Sequence, residues 1–147
     1  MSDIDIRIDP HPLQADLAAL WQAAWGVPGA ADFGAILARS LVHLCAYDGA
    51  RLVGYVNVAT DGGVHAFLLD PTVHPDYRRT GLGTRLVTEA ARLASERGAE
   101  WLHVDYEPHL VDFYARCGFR RTEAGLMWLV EVASEMESTT RQNPRTF

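Results

Sequence analysis

The chain has 147 residues, one domain's worth of sequence and enough to bury a core without disulfide staples. Hydrophobic residues make up 48% and charged residues 22%, an ordinary globular composition, and 13 Lys+Arg against 19 Asp+Glu leave a net charge of −6, so a nucleic-acid partner is not expected. No apolar run approaches the ~20 residues of a membrane span, the acidic start MSDIDIRIDPHP is unlike a signal peptide, and the separated Cys45 and Cys117 predict a reduced, cytoplasmic protein with no membrane partner.

In chain order, Ile4, Ile6 and Ile8 alternate with charged residues and predict a short strand. Asp9-Pro10-His11-Pro12 opens a helix whose stripe is Leu13, Leu17, Leu20, Trp21, Ala24 and Trp25, stopped by Gly26-Val27-Pro28-Gly29. Asp32 caps a second, short helix with Phe33, Ile36 and Leu37. Residues 41–47, 52–60 and 64–73 have strand character, with turns at Asp48-Gly49 and Asp61-Gly62-Gly63, and predict an antiparallel meander. After the loop 74–83, residues 84–97 are the clearest helix, with Leu86, Val87, Ala90, Leu93 and Ala94 on one face. A strand over 101–106, a helix from Pro108 to Arg116 and a strand over 126–132 follow. The expected fold is a single mixed α+β domain over residues 1–133, in the order β-α-α-β-β-β-α-β-α-β, with a polar tail over 134–147.

The segment Val73-His74-Pro75-Asp76-Tyr77-Arg78-Arg79-Thr80-Gly81-Leu82-Gly83-Thr84 carries the chemistry. It connects a strand to a strong helix. Gly81 and Gly83 let backbone and ligand come close, and the first amides of a helix have no internal acceptor and carry the positive end of its dipole. Such an end binds phosphate, and Arg78 and Arg79 add two cations there. The spacing is neither GxxxxGK[ST] nor the dinucleotide fingerprint, which needs Gly or Ala where Leu86 stands. A bare Gly-x-Gly also fits a plain connector. A second cluster, Phe113-Tyr114-Ala115-Arg116-Cys117-Gly118-Phe119, surrounds a helix end, where Phe113 and Phe119 read as core aromatics.

Together these segments resemble the GNAT superfamily of N-acetyltransferases, which use acetyl-CoA. The family's Arg/Gln-x-x-Gly-x-Gly/Ala stands as Arg78-Arg79-Thr80-Gly81-Leu82-Gly83, and its Phe-Tyr-x-x-x-Gly-Phe as residues 113–119. The leading Val-x-Pro-x-Tyr-Arg stands as residues 73–78. The resemblance implies a central, largely antiparallel mixed sheet flanked by helices. It implies that Arg78, Arg79, Thr80, Gly81, Leu82, Gly83 and Thr84 hold the pyrophosphate of acetyl-CoA. It also implies that the pantetheine lies beside Thr72 and Val73, where the strand ending at Val73 splays from the strand at 101–106.

The implied reaction is direct attack of a primary amine on the thioester. Tyr114 occupies the family's general-acid position. The base stays open between Asp70, on the cofactor strand, and Glu107, just before Pro108; the place where some relatives carry a Glu holds Phe67. Trp25 and Phe33 are the expected acceptor-side residues. No metal is expected, because His103, Asp105 and His109 lack metal-site spacing. The acceptor is a small-molecule or peptide amine, and the last strand leaves room for pairing with a second copy. The competing function is a non-catalytic acyl-CoA-binding or interaction module on the same fold.

Overall fold

The computed structural model describes residues 3–130. The chain divides into two units, Met1–Val104 and Asp105–Phe147, and each is described in turn.

In the first unit the Ile4–Ile8 alternation forms β1 (Asp5–Ile8). The helix after the Pro-rich opening is α1 (Gln14–Trp25), and Gly26, at φ +76°, closes it by donating its N–H to Gln22 O. The cap predicted at Asp32 is present: its carboxylate accepts from Ala35 N–H at 3.1 Å and starts α2 (Phe33–Leu37). The meander follows as β2 (Ser40–Asp48), β3 (Arg51–Thr60) and β4 (His65–Val73). Then come α3 (Leu82–Glu96) and β5 (Trp101–His103). The sheet order is β1-β2-β3-β4-β5. Neighbours are antiparallel except β4 and β5, which run parallel. A parallel pair needs a crossover, and α3 supplies it.

Both faces of the central strands are buried. On one face Leu17 and Leu20 of α1 and Phe33 of α2 pack with Cys45, Tyr47, Leu52 and Tyr55. On the other, α3 buries Leu86, Val87, Ala90, Leu93 and Ala94, the stripe its periodicity foretold, together with Leu82 at its start. Each of the larger of these contributes about 1.5–3 kcal/mol by leaving water. Gly54 of β3 sits beneath the start of α3, where a Cβ would lie 2.9 Å from Leu86 Cδ1 and 3.1 Å from Ala46 Cβ.

In the second unit a 3-10 turn, Pro108–Leu110, runs into α4 (Val111–Arg116). Gly118, at φ +101°, turns the chain out of the helix end, and Phe119 N–H reaches back to Tyr114 O at 3.0 Å.

The larger differences from the sequence reading lie in α3, β5 and the last expected strand. α3 starts at Leu82, so the second glycine of the loop lies inside its first turn. β5 ends at His103 because its pairing with β4 stops at Phe67↔His103. The strand expected over 126–132 is not formed where it is described: residues 119–128 have no regular element and 129–130 are helical. Leu126 and Met127 are 65% and 71% exposed; an apolar run becomes a strand only beside a neighbour that takes its hydrogen bonds. Residues 131–132 lie outside the described residues, as does the tail expected over 134–147. The strand meant to pair two copies is thus missing in its described part.

Candidate functional site

The loop over residues 74–81 leaves β4 at Val73, and its first arm is clamped to the β2–β3 hairpin. Tyr77 OH donates to Asp48 Oδ2 at 2.5 Å, and Arg51 lies over the Tyr77 ring, 5.9 Å from its centre. His74 Nδ1 accepts from Asp76 N–H at 3.1 Å, and Arg51 Nη2 lies 2.9 Å from His74 Nε2. The Asp48 hydrogen bond, more than any other influence, holds the Tyr77 phenol protonated above its ordinary range. The Pro75–Tyr77 turn is therefore a fixed abutment for the residues that follow.

Those residues take two left-handed steps. Arg79 has φ +61° and Gly81 φ +84°. The first costs a side-chain-bearing residue roughly 1–2 kcal/mol and the second is free for glycine. Between them Thr80 Oγ1 donates to Tyr77 O at 2.6 Å. A Cβ on Gly81 would meet nothing within 4 Å, so the space above the loop is open.

No side chain caps α3. Its first backbone bond is Arg85 N–H to Gly81 O at 3.0 Å. The amides of Leu82, Gly83 and Thr84 thus have no acceptor within the helix, and the positive end of a 15-residue helix stands behind them. The Leu82 side chain is buried, so that residue offers the site its backbone alone. Arg78 and Arg79 are exposed beside the same helix end.

β4 is irregular where the cofactor strand was expected. Tyr55 pairs with Thr72 and Asn57 with Leu69, so β4 spends one residue more than β3 across this stretch. The bulge falls at Asp70-Pro71, with Asp70 at φ +52°. Bulges re-aim side chains, and Pro71 has no N–H for a ladder. Thr72 Oγ1 donates to Asp70 O at 2.8 Å and accepts from Trp25 Nε1 at 3.3 Å. Beyond Phe67 the outer edge of β4 has no strand partner among the described residues.

Near its start the same face carries His65 Nδ1 2.8 Å from His103 Nε2, with Phe67 stacked on His103. Phe33, by contrast, is 2% exposed and packs with Trp21 and Tyr55. The structure places it in the core, whereas Trp25, 48% exposed, faces outward.

In the second unit Tyr114 is buried, its ring stacked on Tyr106 and edge-on to Phe113 and Phe119. Burial, then the nearby Cys117, Asp105 and Tyr106, push its phenol up to about 12. Glu107 precedes the Pro108–Leu110 turn, and its carbonyl accepts from Leu110 N–H at 2.9 Å. Among the described residues no three of His, Cys, Asp and Glu gather as a metal site, and no helix is long and apolar enough to cross a membrane.

The structure thus brings Trp25, Asp70 and Thr72 together at one bulge, and Arg78 to Thr84 at one helix end. Sequence reasoning missed the brace of Asp48, Arg51 and His74. It also missed Gly54, whose signal, a glycine inside the apolar strand Leu52-Val53-Gly54-Tyr55-Val56, was present.

A mixed sheet with a bulged, half-open strand leading through a glycine-bearing loop into an uncapped, arginine-flanked helix defines an α+β domain. The chain belongs to the acetyltransferase (GNAT) family, whose model matches residues 9–119. An uncharacterised N-acetyltransferase of Porphyra purpurea is 28% identical over 76 residues, 52% of this chain and 44% of that protein; the match therefore spans less than half of that relative. A GNAT family acetyltransferase of Streptococcus pneumoniae TIGR4 superposes with a TM-score of 0.71 at 29% identity, covering 86% of this chain and 97% of the other. The AAC(6')-Iy structure in complex with the bisubstrate analogue CoA-S-monomethyl-acetylneamine shares the fold, with a TM-score of 0.68 at 19% identity, covering 86% and 97% of the two chains.

Proposed function

We propose that the protein moves an acetyl group from acetyl-CoA to a primary amine by direct attack on the thioester. The observation that carries this is the uncapped amino end of α3, where three amides without helical acceptors follow the left-handed Gly81 and two exposed arginines. In this reading Arg78 to Thr84 hold the diphosphate, by backbone donors and by charge. The free edge of β4 near Thr72 and Val73 holds the pantetheine amides. A β4 backbone N–H there faces the thioester oxygen as negative charge develops on it. The bound cosubstrate supplies the activated acyl group.

Two protons must move. An alkylamine with a pKa of roughly 10 arrives as ammonium and must lose one proton before attack and another as the amide forms. Asp70, at the bulge, and Glu107 are the proposed acceptors, directly or through water. Tyr114 is the proposed donor to the leaving thiolate, the role that the resemblance implies for its position. Its phenol, held up to about 12, lies some 3–4 units above an ordinary thiol, so complete transfer of its proton costs about 5 kcal/mol. Hydrogen-bond donation to the developing thiolate avoids that cost, and the sulfur then collects a proton released from the amine.

Trp25 is the proposed acceptor-side residue; Phe33, packed in the core with Trp21 and Tyr55, is not. The acceptor is a small-molecule or peptide amine, a class supported by the acetylneamine analogue in the AAC(6')-Iy structure. The acidic net charge of −6 steers cations toward the protein. The thiol form of Cys45 and Cys117 supports a cytoplasmic setting. Titration calorimetry with CoA, followed by CoA release assays across an amine panel, tests the reading. Saturable uptake, weakened at least tenfold in Gly81→Val, is expected; no uptake, or uptake untouched by that change, overturns it.

A further inference from the structure

Both arginines of the loop read as phosphate ligands from sequence, but the structure gives them different surroundings. Arg78 has an extended backbone, φ −67° and ψ 153°. Its Nη2 donates to Ala24 O, in the last turn of α1, at 3.3 Å. That carbonyl is an orphan by construction. The residue four positions on is Pro28, which has no N–H to return. The last turn of α1 also has no basic residue of its own. Arg78, 54 residues further along the chain, supplies both the missing donor and the cation that a helix carboxyl end favours. The adjacent Trp25 is tied separately, through Nε1, to Thr72 Oγ1 of β4. One helical turn is therefore pinned once to the phosphate loop and once to the cofactor strand.

We infer that Arg78 is a positioning residue that couples occupancy of the phosphate loop to the last turn of α1, and so to Trp25 on the acceptor side. A guanidinium has five N–H donors in a plane. Ala24 O engages one nitrogen, and the exposed remainder is open to a phosphate oxygen. A diphosphate that orders this fork orders the α1 carboxyl end with it. Arg79 has a left-handed backbone and, among the described residues, makes no hydrogen bond to α1, so it adds charge without that tie. The inference rests on the acetyl-CoA reading above.

The test uses the full chain labelled with 5-fluorotryptophan, with Trp25 assigned by Trp25→Phe among the four tryptophans. The probe is adenosine 3′,5′-bisphosphate, which has phosphates but no pantetheine arm to touch Trp25. Calorimetry with CoA and with the probe is run alongside. The Trp25 fluorine signal should shift saturably with the probe in the parent and in Arg79→Met. It should stay in place in Arg78→Met at saturating probe, and regain part of its shift in Arg78→Lys. Unchanged melting temperature in Arg78→Met excludes simple loss of α1. Probe uptake without a Trp25 shift in the parent, or an equal shift in Arg78→Met, overturns the coupling alone. Absence of heat with either ligand brings down the acetyl-CoA reading, and the coupling with it.

Discussion

Gly54 lies directly beneath Leu86: a Cβ at position 54 would stand 2.9 Å from Leu86 Cδ1 and 3.4 Å from Leu82 Cδ2. The missing side chain lets α3 settle onto β3, and the open amides at the head of α3 are positioned by that contact. Gly54→Ala is expected to lower stability by about 1–3 kcal/mol, the usual cost of overpacking. In a chain of this size that is a fall of roughly 3–10 °C in melting temperature. CoA binding should weaken several-fold with it. An unchanged melting curve would show that the helix shifts at no cost.

The Tyr77–Asp48 hydrogen bond braces the loop from outside the proposed phosphate-binding residues. Tyr77→Phe keeps the ring under Arg51 and removes only the hydroxyl. CoA affinity should fall by about threefold to tenfold, the scale of one lost hydrogen bond, with kcat at saturating acetyl-CoA preserved. Calorimetry on the purified variant measures the first and steady-state kinetics the second.

Tyr114→Phe isolates the hydroxyl in a ring packed on Tyr106, Phe113 and Phe119. Because the aromatic packing survives, CoA affinity should change little. Turnover should drop about 10- to 100-fold, the lower part of the range for a positioned proton or hydrogen-bond donor. Equal kcat in variant and parent would remove Tyr114 from the chemistry.

The proton acceptor is separable by paired variants. Asp70→Asn and Glu107→Gln keep size and polarity while deleting the charge and the proton-accepting carboxylate. The variant that removes the base should lose the acidic limb of the kcat/KM profile, and the other should keep it. Retention of that limb in both variants assigns proton removal to solvent.

Asp9 gives a stability test remote from the site. Burial acts to raise its pKa, but the His43 N–H at 3.0 Å and the Arg97 guanidinium at 2.7 Å outweigh it and leave the carboxyl below its ordinary value. A depressed pKa contributes stability that is present above the unfolded value and lost as pH falls through the folded one. Asp9→Asn, which tolerates the left-handed backbone at φ +50°, should cost about 0.5–1 kcal/mol at pH 7 after allowance for solvent screening. The gap between parent and variant should close below about pH 4 in urea melts.

Local chemistry was legible in the residues themselves. The 3.6-residue stripe of α3, the Asp32 cap, the Asp48-Gly49 hairpin and the glycine stop at Gly26 each need only neighbours a few positions away. The loop from Arg78 to Thr84 belongs with them in its backbone form, because its glycines, arginines and helix start are contiguous. What the chain order could not reveal depends on partners distant in sequence. The bulge at Asp70 exists only against the register of Tyr55 and Asn57, and the end of β5 is set by where its pairing with β4 stops. The strand read into 126–132 failed in its described part for want of a neighbour to share hydrogen bonds. Trp25 and Phe33 are both aromatic and eight residues apart, yet one faces out and the other is buried beside Tyr55. Arg78 and Arg79 are chemically alike, and only the position of the α1 carboxyl end distinguishes them. Hydrophobic periodicity and backbone preference act along the chain; register, burial and helix-end satisfaction act across it, and those fixed how this site is assembled.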